Sequence, residues 1–107
     1  MKVYCNDERI VNEVKIADTF KTRLIGLMGR DNLQDEGLLL INCSSIHCFF
    51  MKITIDAVYL SKDMTVLYKE TIKPWRIGKF IKGTRHILEI PENASARIKI
   101  GETIELI

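Results

Sequence analysis

Short runs of apolar, β-branched and aromatic residues recur along this chain, each stopped by a turn signal, and that punctuation most constrains the fold. Val3–Cys5 and Arg9–Ile16 flank Asn6-Asp7-Glu8, where Asn and Asp tolerate the left-handed backbone of a tight hairpin turn. Along Arg9–Ile16, Ile10, Asn12, Val14 and Ile16 share one face against Val11, Glu13 and Lys15, so one side is expected to be wet. Leu38–Ile41 is apolar throughout and bounded by Gly37 and Asn42, which suits a buried strand. Ile53–Leu60 and Met64–Ile72 flank the polar turn Ser61-Lys62-Asp63 and form the clearest hairpin; Pro74 ends it, having no ladder donor. Ile87–Ile90, closed by Pro91, and Thr103–Ile107 bring the set to six or seven strands.

One stretch changes period. Asp18 or Thr19 can cap a helix in which Phe20, Arg23, Leu24, Leu27 and Met28 recur at spacings of three and four, with Gly29 as a C-cap. Glu92–Ala96 can add a helical turn. With no βαβ rhythm, the pattern predicts an α+β domain of mainly antiparallel β-structure. Its form is a compact, curled or partly closed β-sheet with one main α-helix.

At 107 residues the chain can bury about two-thirds of its surface. A content of 47% hydrophobic and 28% charged residues argues against disorder. The expectation is a single domain over residues 1–107. No apolar run approaches the roughly 20 residues that span a bilayer, and Met1–Asp7 lacks the apolar core of a signal peptide. Three cysteines, Cys5, Cys43 and Cys48, are an odd number and lack a second pair for tetrahedral zinc, so they read as reduced, inert thiols of a cytoplasmic protein. No metal, cofactor or membrane association is expected. His47 could activate a neighbouring cysteine only if both pointed the same way, and adjacent strand residues diverge. His47 and His86 show no ligand spacing, although Asp56 or Glu89 could join them if strands met.

The formal charge is +2, but it is unevenly spread. Residues 73–85 hold Lys73, Arg76, Lys79, Lys82 and Arg85 and no acid; +2 less +5 leaves −3 on the remainder. The three-residue spacing would align all five on one edge of an extended three-fold chain. Trp75 and Phe80 lie between them, and cations with aromatic platforms are what single-stranded nucleic acid requires. The competing and favoured explanation is a solvated loop with both aromatics folded onto the core. Asp56 raises a different question. It sits in an apolar strand and needs a partner, for which Arg23, Arg30, Arg85 or His47 are candidates.

Three blocks together resemble the prokaryotic family catalogued as domain of unknown function 192. Ala17, Arg23 and Gly26-Leu27-Met28-Gly29-Arg30 match its opening motif, followed by Gly37-Leu38-Leu39-Leu40, where an aromatic is common in place of Leu40. Ile46-His47-Cys48-Phe49-Phe50-Met51 with Ile55-Asp56 is similar to the branch with a histidine ahead of the methionine. Lys73-Pro74-Trp75-Arg76, Leu88-Glu89-Ile90-Pro91 and Gly101-Glu102 complete the order. Asn93 stands near the family's usual Ala-Gly, and Glu102 replaces a common Asp. The resemblance implies a compact β-rich domain and names no reaction. It gathers Arg23, Arg30, His47, Met51, Asp56, Trp75, Arg76 and Glu89 as candidate site residues. The expected site is one cleft, with arginines and Trp75 on the rim and His47 and Asp56 deeper, suited to a small polar or anionic ligand. The alternatives are a small hydrolase using His47 and Asp56 as acid and base, or an interaction module for nucleic acid or protein working through residues 73–85.

Overall fold

The computed structural model describes residues 1–19, 22, 30–47 and 51–107. Its strands are β1 (Val3–Cys5), β2 (Glu8–Val11), β3 (Glu13–Ala17), β4 (Glu36–Leu40), β5 (Ile55–Leu60), β6 (Val66–Ile72), β7 (His86–Pro91) and β8 (Ile104–Leu106). They form a three-stranded sheet in the order β2-β1-β8 and a five-stranded sheet in the order β3-β4-β7-β5-β6. The protein is therefore mainly β and rich in antiparallel pairs. Among the described residues there is no closed barrel, because β3 and β6, the outer strands of the larger sheet, do not pair with each other. The two sheets are stitched together at their edges: the Val66 amide donates to the Glu102 carbonyl (2.8 Å), the Gly101 amide to Val66 O (2.8 Å) and the Val14 amide to Met1 O (2.7 Å).

The local signals explain most elements. Asn6 and Asp7 both have positive φ, 51° and 64°, as the two-residue β1–β2 turn requires. All six residues of β5 are buried, because the five-stranded sheet is covered on both faces. On one face Leu39, Val58, Leu60, Leu88 and Ile90 pack against Val3, Cys5, Val11 and Ile104 of the smaller sheet. On the other, Leu38, Leu40, Ala57, Tyr59 and Ile87 pack with Ile46, Met51 and Leu33. Each fully buried aliphatic side chain contributes about 2 kcal/mol to holding these layers together.

Two expectations fail for a shared reason. The run Arg9–Ile16 is broken at Asn12 into β2 and β3, which belong to different sheets. Val11 is consequently buried and Ile16, on an edge strand, exposed. β3 pairs with β4 in parallel, Glu13 opposite Glu36 through Ala17 opposite Leu40. Residues 18–35 are thus a crossover between parallel strands, a unit that the sequence reading did not include.

At the start of that crossover the Thr19 amide donates to Thr22 Oγ1 (3.0 Å) and the Thr22 amide donates to Thr19 Oγ1 (3.1 Å), the reciprocal bonding of a helix N-cap. The helix expected over Phe20–Met28 lies outside the described residues. Within them, the longest helical element is the 3-10 turn Ala94–Arg97. No helix among them is long and apolar enough to cross a membrane.

Candidate functional site

Antiparallel pairing sends opposed side chains to the same face and successive ones to opposite faces. Asp56 opposes Thr71 on β6 and Ile90 on β7. It therefore faces the smaller sheet and the 3-10 turn. Glu89 opposes Ala57 and Leu38, and so faces the other way. His47 lies on the Glu89 side: it forms an antiparallel bridge with Ile77, and the adjacent Ile46 packs in the cluster with Ala57 and Leu38. The five-stranded sheet thus separates His47 from Asp56. They cannot act together as acid and base or line one cleft, and that expectation is corrected.

Asp56 is 2% exposed, and among the described residues its partners are none of the expected cations. Thr71 Oγ1 donates to Oδ1 (2.9 Å), while the Ser95 amide (3.1 Å) and Ser95 Oγ (2.6 Å) donate to Oδ2. Lys69 Nζ donates to the Ser95 carbonyl (2.6 Å). A cleft of about 250 Å³ lies over this network, lined in part by Lys69, Thr71, Asn93 and Ser95. The carboxylate is well satisfied and fastens the turn to the sheet. Asn93, with φ 72°, meets a left-handed demand there, which explains how Asn can stand near a familial Gly.

Glu89 is 3% exposed, and among the described residues nothing donates a hydrogen bond to its carboxyl. Burial pushes its pKa up from 4.5 to about 7. Met51 is buried in the same cluster. Arg30 is at the surface, bonded to Glu36. Arg23 lies outside the described residues. Among those described, no three His, Cys, Asp or Glu side chains converge as metal ligands.

Residues 73–85 form a strap across the Glu89 face. Beyond β6, Pro74 and Trp75 turn the chain, and Trp75 adopts a left-handed φ of 65°. Ile77 bridges to His47, and the Gly78 amide donates to the Ile46 carbonyl (2.9 Å). Gly78 is required here, because a Cβ would lie 2.5 Å from Tyr59 Oη and 3.0 Å from Ile46 Cγ1. The Lys79 amide donates to Glu70 Oε2 (2.9 Å), an oxygen that also accepts the Tyr59 hydroxyl (2.5 Å). Lys79 Nζ donates to Tyr68 Oη (3.1 Å) and lies 5.3 Å from that ring's centroid. A second turn at Gly83 (φ 91°) precedes Arg85, whose amide donates to Leu60 O (2.8 Å).

Two sequence expectations for the strap change. Its turns prevent the five cations from sharing one extended edge. Trp75 (58% exposed), Ile77 (70%) and Phe80 (73%) also stand in solvent rather than folding onto the core. Among the described residues none of Lys73, Arg76, Lys79, Lys82 and Arg85 is ion-paired. Of the expected site residues, His47 bridges to Ile77 on the strap that carries Trp75 and Arg76. The sequence reading missed Glu70, Tyr59 and Gly78, which hold the strap, and Thr71 and Ser95, which satisfy Asp56. A glycine inside the basic run was the one visible signal.

A family model for DUF192, described as "Uncharacterized ACR", matches residues 2–106. The chain is similar to a UPF0127 protein of Pyrococcus abyssi (31% identical over 120 residues, covering 100% of this chain and 99% of that protein). It is also similar to a UPF0127 protein of Pyrococcus horikoshii (38% over 92 residues, covering 81% and 79%). Among solved structures, a protein of unknown function from Novosphingobium aromaticivorans superposes with a TM-score of 0.86 at 23% identity, covering 98% of this chain and 84% of that one. At that identity the likeness concerns the fold alone.

Proposed function

We propose that this chain, which belongs to the DUF192 family, binds single-stranded nucleic acid through the strap at residues 73–85. The observation that carries this reading is the exposure of Trp75 and Phe80 on a segment with five basic residues and no acidic one. Phosphates require cations, and exposed aromatic faces offer stacking surfaces for unpaired bases. In a duplex those base faces are already stacked, so the strap suits single strands better. The left-handed backbone at Trp75 supports the same reading. A bulky residue there costs about 1 kcal/mol, and such strain concentrates at ligand-binding positions. Such a ligand is met in the cytoplasm, a compartment that suits the reduced, buried thiol of Cys5.

The test is fluorescence anisotropy of a labelled single strand of about ten nucleotides, titrated with the protein over a range of salt. Each neutralised phosphate contributes a slope of about −0.7 in log K against log salt, so five cations allow a slope down to about −3.5. A slope between about −2 and −3.5, with weaker binding to a duplex of the same length, supports the reading. Absence of binding at low salt contradicts it. Salt-insensitive capture of a protein partner by the same face would move the function to protein interaction.

A further inference from the structure

We infer that Glu70 is a positioning residue for this binding face, an inference that rests on the nucleic-acid reading. Glu70 stands on β6 directly opposite Ala57 and faces the strap. Its Oε2 accepts two hydrogen bonds, from the Tyr59 hydroxyl in β5 at 2.5 Å and from the Lys79 main-chain amide at 2.9 Å. One oxygen thereby ties the middle of the strap to two strands of the core sheet. Gly78 lets the backbone come close enough for this, since no side chain fits between it and Tyr59 Oη. The Lys79 side chain adds a contact to Tyr68, the ring next to Tyr59, with centroids 5.9 Å apart. The tie lies between Trp75 and Phe80. A platform held at its centre loses less conformational freedom when bases stack on it than a free loop would.

This role runs against simple electrostatics. A carboxylate beside Lys79 repels phosphate, so charge alone makes Glu70 a hindrance to binding. Position makes it a help. Three substitutions separate the two. Glu70→Gln removes the charge and keeps an acceptor at full reach. Glu70→Asp keeps the charge and withdraws the acceptor by one methylene. Glu70→Ala removes both.

The experiment measures amide hydrogen exchange at Gly78 and Lys79 and affinity for the same single strand in all four proteins. The expected result is that Glu70→Ala and Glu70→Asp lose protection at Lys79 and bind about tenfold more weakly, while Glu70→Gln keeps the protection and binds at least as tightly as wild type. Exchange in β5 and β7 should stay unchanged in every variant, which shows that the core is intact. Binding by Glu70→Ala as tight as or tighter than wild type overturns the inference, and so does unchanged Lys79 exchange. If the wild-type chain does not bind the strand at all, the nucleic-acid reading fails instead, whereas the exchange data still report whether Glu70 holds the strap.

Discussion

Asp56 and Glu89 are both buried carboxyls on neighbouring strands, almost level in register, yet their surroundings are opposite. Asp56 receives three hydrogen bonds from Thr71 and Ser95. Glu89 receives none among the described residues, and burial lifts its pKa to about 7. The difference follows from what covers each face. A 3-10 turn seals the Asp56 side with donors aimed at the carboxylate. The Glu89 side is covered by apolar side chains beneath the strap, whose own polar ties run to Glu70. One face is closed for stability, and the other presents cations and aromatics to solvent.

The largest test of this contrast is Asp56→Ala. It orphans the buried amide and hydroxyl of Ser95 and releases the exposed Thr71 hydroxyl, and a loss of about 4 kcal/mol in stability is expected from chemical denaturation. Nucleic-acid affinity of the folded fraction should not change. Loss of binding in a protein that remains folded would move the function to the Asp56 face.

Glu89 gives the next largest effect, and its sign is opposite to that of a stabilised carboxylate. Its folded pKa, about 7, lies above the usual 4.5, so between these values the native state holds a proton that the unfolded chain has released. Stability from this group is therefore full below about pH 4.5, falls as pH rises, and levels off above about 7. The whole span is about 3 kcal/mol. Glu89→Gln should flatten that fall in a series of denaturation curves. An unchanged pH profile would mean that Glu89 titrates normally and that the contrast with Asp56 is wrong.

How far this contrast was legible beforehand depends on which signals are local. β4 through β8 follow from runs and turn residues that each stretch carries within itself. The break at Asn12 and the parallel pairing of β3 with β4 do not, because a parallel partner leaves no mark in either strand's own pattern. The site was harder for the same reason. His47 and Asp56 lie nine positions apart in sequence, but His47 belongs to the cover and Asp56 to the opposite face of the sheet beneath. The partners of Asp56 are a threonine and a serine with no distinguishing context. By contrast, the charge pattern of residues 73–85 was plain, and only the direction of Trp75 and Phe80 needed the structure.

Two smaller tests sharpen the strap side. Trp75→Ala should leave stability nearly unchanged, since the ring is exposed, and weaken single-strand binding by about 1–3 kcal/mol. Equal affinity in that variant would remove stacking from the account. Arg76→Gln should make the salt slope shallower by about 0.7 while leaving the preference for single strands intact. A slope that does not move would mean that Arg76 meets no phosphate.

Because Trp75 is the sole tryptophan, its emission reports directly on the strap. Titration of the unlabelled protein with a single strand at low salt should quench that emission in step with binding, and added salt should reverse the quenching. Tryptophan emission that stays constant through saturating strand would contradict the claim that this face is where nucleic acid binds.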